Sequence, residues 1–178
     1  MAGRTLNSYI PSSSTIVISH PKTNVSHAVT GFTTDSTVSI EFPDQTWTNT
    51  VGIDGHTTRT HRLDKTVQMT IHLEQTSKSN DVLSALLRYD EGDISGRDGI
   101  FTCTFADKSG RSYVYSSQCY VSRPTSQEFG SATGTRDWMI TFAWADQWIG
   151  GNGLIDPDTV QVLEALGVNI DDEWKSVV

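Results

Sequence analysis

Residues 66–74 read TVQMTIHLE and alternate without a break. Val67, Met69, Ile71 and Leu73 point one way; Gln68, Thr70, His72 and Glu74 point the other. A period of two is the pleat of a β-strand, and apolar-in, polar-out alternation marks a sheet with one face on a core and the other in water. The pattern recurs on both sides. Residues 15–19 (TIVIS) form a short strand, with 25–31 as its partner across a turn at 21–24. Residues 36–42 (STVSIEF) place Val38, Ile40 and Phe42 on one face, and Pro43 ends the run. Further on, 100–106 aligns Phe101, Cys103 and Phe105 and leads through DKSGR, turning at Ser109-Gly110, into a strand over 112–121. Residues 135–144 (TRDWMITFAW) put Trp138, Ile140, Phe142 and Trp144 on one heavy apolar face that needs a cover. The chain is mainly β.

Two segments switch to a helical period. In 78–89 (KSNDVLSALLRY), Val82, Leu83, Leu86 and Leu87 make one stripe, with Ser79 or Asn80 as N-cap. A second helix starts at Asp156-Pro157, carries Val160, Leu163 and Leu166 on one face, and stops at Gly167. The glycine-rich 149–153 (IGGNG) before it reads as a flexible hinge. It divides a β-domain, residues 1–148, from a C-terminal helical arm, residues 149–178.

One stretch fits neither pattern. Residues 45–63 (QTWTNTVGIDGHTTRTHRL) read as a long β-hairpin turning at Asp54-Gly55, a pair suited to a two-residue type I′ turn. That turn sets Thr50 against Arg59 and Trp47 against Arg62. Apart from Trp47, Val51, Ile53 and Leu63 the ribbon is polar, and a lone two-stranded ribbon is marginal in water. It is either a mobile surface hairpin or an arm that docks on a neighbouring subunit. On the second reading Trp47, Thr50, Asp54, Gly55, Arg59 and Arg62 are the interface residues.

A chain of 178 residues with 36% apolar content is long enough for a core. It has no apolar run near the roughly 20 residues that span a bilayer. The start, MAGRTLNSYIPSSS, lacks the apolar centre of a secretory signal, so folding in a cytoplasm is expected. The net charge is −8, and six of those charges fall after residue 145: seven acids (Asp146, Asp156, Asp158, Glu164, Asp171, Asp172, Glu173) face a single base, Lys175. Such a chain does not grip phosphates by counterion release. The acidity is a solubilising surface, or one past which nucleic acid slides. If 107–111 is a turn, Cys103 lies opposite Tyr115 and Cys119 roughly 13 Å further along, at about 3.3 Å per residue. A disulfide needs Cα atoms within about 7 Å, so two packed thiols are expected.

No chemistry emerges from the motifs. His20, His27, His56, His61 and His72 fall in no HExxH or similar spacing, and no serine sits in GxSxG or SxxK. GGNGLID (150–156) approaches a calcium nonapeptide, but its Asp comes one place late and the motif occurs once. Asp90, Glu91, Asp93 and Asp98 lie in a loop without the EF-hand spacing. No catalytic residue, metal or cofactor is expected. The five tryptophans raise a glycan-binding module as a second reading, yet only Trp47 and Trp174 have polar surroundings. A hydrolase lacks any nucleophile–base pair to name.

Read in order, the segments resemble the tail tube proteins of contractile-tailed, myovirus-type bacteriophages. The resemblance runs over about residues 5–145. It is carried by VGIDG (51–55) followed by Arg59, by LEQTSKSNDVLSAL (73–86), by the FADKSG turn (105–110) and by FGSATGTRDWMI (129–140). It implies a β-sandwich or half-barrel with one flanking α-helix and a hairpin arm. It also implies homohexameric rings stacked into a tube that conducts DNA, with sheath, tape-measure and baseplate proteins as partners. The location implied is the virion tail, assembled in the bacterial cytoplasm. The inner tube of a tailocin or of a secretion-type injection system has the same architecture. The resemblance does not reach the C-terminal arm.

Overall fold

The computed structural model describes residues 10, 13–34, 37–124 and 127–176. Most of the N-terminal stretch quoted above, and Ser36 of the third expected strand, lie outside the described residues.

The alternating segments do become strands. They are β1 (Ser14–His20), β2 (Val25–Ala28), β3 (Val38–Glu41), β6 (Val67–Glu74), β7 (Phe101–Asp107), β8 (Tyr113–Ser122) and β9 (Thr135–Ala143). A short strand that the sequence pattern does not announce, β10 (Asp146–Trp148), also forms. These eight make one antiparallel sheet in the order β2-β1-β7-β8-β9-β6-β3, with β10 paired to β8. β4 (Trp47–Val51) and β5 (Thr57–His61) make a separate two-stranded ribbon.

One face of the sheet carries nearly the whole core. Ile16 and Ile18, the four apolar residues of β6, then Phe101, Cys103, Phe105, Val114, Cys119, Val121, Trp138, Ile140 and Phe142 are all buried in a single cluster. An open sheet would leave such a face wet, at a cost of about 25 cal/mol per Å². The chain between β2 and β3 removes part of that exposure by joining the two ends of the sheet. Val29 N–H donates to Ile16 O beside β1 (2.9 Å), and Phe32 then bridges to Leu73 on β6. The segment thus links β1 to β6 across the sheet, and the fold is mainly β, as the sequence pattern predicts.

Helix α1 (Ser79–Gly92) adds Leu83, Leu86 and Leu87 of the expected stripe to the core, whereas Val82 is half-buried and outside that cluster. Its N-cap is Lys78, with no side-chain cap, and neither Ser79 nor Asn80 plays that part. Both are committed to tertiary contacts. The buried Ser79 hydroxyl accepts from Thr30 N–H (3.0 Å) and meets His27 Nε2 at 2.9 Å. Asn80 Nδ2 donates to Glu74 O (2.9 Å), while its Oδ1 accepts from Trp138 Nε1 at 2.9 Å.

Three further expectations are corrected. Trp144 does not continue the β9 core face. It has φ +54°, which throws its ring outward to 66% exposure. Phe42 falls just beyond β3 and is exposed. Cys103 pairs with Ser116 and not with Tyr115, because the turn closes one residue later than expected, with Asp107 N–H donating to Ser112 O (2.9 Å), and a bulge between Phe101 and Cys103 shifts the register once more. Cys119 then lies opposite Phe101, nearer to Cys103 than an unbroken ladder allows, and both thiols are free and buried.

The C-terminal segment has its own small core of Ile155, Val160 and Ile170, with Leu163, Val168 and Trp174 packed on it. Helix α2 (Pro157–Ala165) begins as its sequence dictates: Asp156 accepts from Thr159 N–H at 3.0 Å, with Pro157 in the first turn. It ends in a Schellman motif. Gly167 N–H donates to Glu164 O (3.0 Å), Val168 N–H to Leu163 O (2.9 Å), and Gly167 takes φ +83°. That geometry makes Leu166 the C-cap and leaves it exposed, so it is not part of the buried stripe. Nor is 149–153 a free hinge. Ser112 Oγ donates to Gly150 O (3.0 Å), and Arg111 Nη1 donates to Gly153 O (2.7 Å).

Candidate functional site

The two strands of the β4–β5 ribbon are exposed at every position. It has no apolar partner of its own, so its form rests on ladder hydrogen bonds and cross-strand pairs. The register is one residue away from the sequence expectation. Trp47 pairs with His61, Asn49 with Arg59 and Thr50 with Thr58. The cause is the turn. Gly55 N–H donates to Gly52 O (2.9 Å) and Gly52 N–H donates to His56 O (2.8 Å), with Gly55 at φ +83°. This is a three-residue loop, a type I turn followed by a left-handed glycine, in place of the two-residue I′ turn that Asp-Gly suggests. Asp54 Oδ1 accepts from His56 N–H (3.3 Å) and fixes the loop from inside.

A slip of one residue exchanges the faces of a strand. Trp47, Asn49 and Val51 now share a face with Thr57, Arg59 and His61. The Arg59 guanidinium lies 4.0 Å from the Trp47 ring centroid, and the His61 ring lies 4.5 Å from it at 42°. Of the expected interface residues, the structure brings Trp47 and Arg59 together. Thr50 lies on the opposite, all-threonine face with Thr48, Thr58 and Thr60. Asp54 and Gly55 sit at the tip. Arg62 stays at the root, where Nη1 donates to Asp44 Oδ1 (2.7 Å) and its N–H donates to Thr46 O (2.8 Å). Beside it, the Thr66 hydroxyl and N–H hold the Asp64 carboxyl below its ordinary value, with Arg62 adding to the effect. His61 was missed, since only the correct register puts it on Trp47. Ile53, fully exposed at the tip, was noted only as apolar.

A second feature lies at the C-terminal segment. The β7–β8 turn, β10 and residues 168–174 enclose a cleft of about 510 Å³. Trp148, Val168, Ile170 and Trp174 line it, with Asp171 and Glu173 at its rim. Arg111 braces it, with its guanidinium 5.0 Å from the Trp174 ring centroid.

The histidines are dispersed. His20 is buried, its Nε2 donating to Asp98 O (2.6 Å), and His72 Nδ1 pairs with Asp137 Oδ1 at 2.7 Å. Among the described residues no three His, Cys, Asp or Glu side chains come together to hold a metal ion. In the acidic loop, Asp93 turns inward to accept from the N–H groups of Ser95, Arg97 and Asp98. These bonds, the Ser95 hydroxyl foremost, keep its carboxyl below the usual range. No helix among the described residues is long and apolar enough to cross a membrane.

The described residues form a mainly-β domain, one antiparallel sheet with a separate two-stranded ribbon exposed along its length. Comparison with known proteins goes further. The family model described as the Bacteriophage PhiTE tail tube protein matches residues 10–150. The chain is also 41% identical over 174 residues, 98% of its own length and 99% of the other's, to a structural protein, ORF10, of Pseudomonas phage KPP10. The chain belongs to the PhiTE tail tube protein family. It is a tail tube protein, a structural component of the phage tail. The family match stops at residue 150, whereas the likeness to the KPP10 protein also takes in the C-terminal segment.

Proposed function

We propose that this subunit assembles into homohexameric rings that stack into the inner tube of a contractile tail. The β4–β5 arm, through Trp47, Thr50, Asp54, Gly55, Arg59 and Arg62, docks on a neighbouring subunit. The observation that carries the reading is the arm itself: two strands exposed at every position, outside the core, and paired with each other in a sheet of their own. The sheet supports it too, since its path ends at β2 and β3, each with one strand partner. A ring offers such edges a neighbour. The tube conducts DNA and does no chemistry on it. Sheath, tape-measure and baseplate proteins are its partners, and it assembles in the host cytoplasm before it becomes part of the virion. Trp47 argues against a glycan-binding module, because Arg59 and His61 already occupy its ring.

Negative-stain microscopy of the purified protein tests the assembly, with rings or tubes expected. Monomers alone at high concentration, across a range of salt, would overturn it. Deleting residues 45–63 behind a short Gly-Ser linker should leave a folded monomer that makes no tubes. Normal tubes from that variant would remove the arm's assembly role.

A further inference from the structure

The arm ends in an apolar knob that no described residue of its own chain covers. Ile53 is fully exposed at the tip, and Val51, the last paired residue of β4, is 65% exposed. On the C-terminal side of the molecule is a cleft of the complementary kind. Its volume of about 510 Å³ falls in the range of sites that enclose a bound group. Trp148, Val168, Ile170 and Trp174 form the apolar part of a mixed lining that also includes Asp107, Ser112 and Asn169, and no residue of the arm lines it. The cleft is built in advance, because Arg111 ties the β7–β8 turn to Gly153 and lies over Trp174.

Charge points the same way. The arm carries Arg59 and Arg62 against Asp54, and since Arg62 is ion-paired with Asp44 at the root, Arg59 is the cation on the paired strands. The cleft is bordered by exposed Asp171 and Glu173, in the segment that holds six of the eight net negative charges. Asp107, Lys108 and Arg111 border it as well, so the acids exceed the bases there by one. Arg59 meeting Asp171 and Glu173 orients the contact, while the apolar contact inside supplies the affinity.

We propose that the C-terminal cleft of one subunit receives the tip of the arm of another, with Ile53 between Trp148 and Trp174 and the Arg59 side facing Asp171 and Glu173. The occupant is a second copy of this chain. The proposal rests on the arm-docking reading above and gives it an address. It also assigns a role to the C-terminal segment, which the family match does not cover.

Cross-linking in assembled tubes tests it. Subunits with Ile53→Cys are mixed with subunits carrying Val168→Cys, or Glu173→Cys at the exposed rim, where folding is not at stake. The two native thiols are buried and stay out of the reaction. Mild oxidation should give covalent dimers with either partner, and none when the partner is Ile94→Cys on the exposed loop after α1. Ile53→Asp should raise the protein concentration needed for tubes at least about tenfold, the effect of losing about 1.4 kcal/mol of contact. If tubes form and position 168 or 173 never links to 53 but stays open to a thiol reagent, the cleft is empty and the proposal is wrong. If the position is blocked yet never links, another segment of the subunit fills the cleft, and the proposal is equally wrong. In both cases loss of tubes on deleting 45–63 would leave the arm-docking reading intact. Normal tubes after that deletion would overturn both.

Discussion

Trp138 and Trp144 stand six positions apart in one apolar-looking run, and they have opposite parts. Trp138 is buried and donates from Nε1 to Asn80 Oδ1, tying β9 to the start of α1. Trp144 has left-handed backbone, which costs an L-residue roughly 1–2 kcal/mol. It interrupts an otherwise continuous run along β8: Ala143 pairs with Gln118 and Asp146 with Tyr115, in one register. Ser116 fills the gap, its hydroxyl donating to Ala143 O and accepting from Gln118 N–H. Two substitutions separate these roles. Trp138→Ala should lower the stability of the monomer by about 3–5 kcal/mol, through lost packing and the orphaned Asn80 acceptor. Trp144→Gly should leave the thermal midpoint unchanged or slightly raised, since the relieved strain offsets the freedom gained by the unfolded chain. Chemical denaturation of both variants gives the comparison. A loss at Trp144→Gly as large as at Trp138→Ala would mean the outward ring is stabilising within the monomer.

At the scale of elements the hairpin is the informative case, because it shows both what a sequence says and where it falls silent. An Asp-Gly pair between two Thr-rich runs announces a hairpin, and a hairpin is there. It does not announce whether the loop has two residues or three, and that difference of one residue decides that Trp47 meets Arg59 and His61. Gly55 should be the controlling residue. A Cβ added there meets nothing within 4 Å, so Gly55→Ala isolates the backbone preference against φ +83°. The expected cost is about 1 kcal/mol, confined to the arm. Amide exchange at Gly52 should accelerate and the ring-current shift of Trp47 on Arg59 should shrink, while the melting of the sheet stays where it was. A shared fall in the sheet's stability would show that the arm is coupled to the core. Elsewhere the legible parts are those where a period of two or 3.6 is backed by burial, as in β6, β7 and the stripe of α1. The end signals of α2, Asp156-Pro157 and Gly167, were legible as well. The illegible ones depend on partners distant in sequence. Ser79 and Asn80 look like N-caps until Thr30, His27 and Trp138 claim them. The three residues of β10 have no pattern to read, and they become a strand because β8 has an edge to offer. The C-terminal cleft is invisible in sequence for the same reason, since it joins residues 106–113 to 148 and 168–174.

At the scale of the whole molecule, the two cysteines report on whether the core against the sheet stays closed. Cys103 and Cys119 face the core from adjacent strands, and neither has exposed surface. Burial pushes the Cys103 thiol well up, with the neighbouring Cys119 adding to it, and burial pushes Cys119 up to about 12. The sign of the linkage follows. In the unfolded chain a thiol ionises near its ordinary value of 9.0, whereas in the folded sheet both remain protonated there. The folded state thus holds more protons than the unfolded one between 9.0 and about 12, so stability falls as pH rises through that window and is untouched below it. Two outcomes are expected. At pH 8 in the folded monomer a thiol reagent should react only at the rate of opening, and the rate should rise with denaturant in step with unfolding. Between pH 9 and 11 the denaturation midpoint should drop, and Cys119→Ala should flatten that drop even if the small cavity it leaves lowers the midpoint overall. Rapid labelling at pH 8 in the absence of denaturant would mean that the core against β7 and β8 opens on its own, without unfolding of the domain.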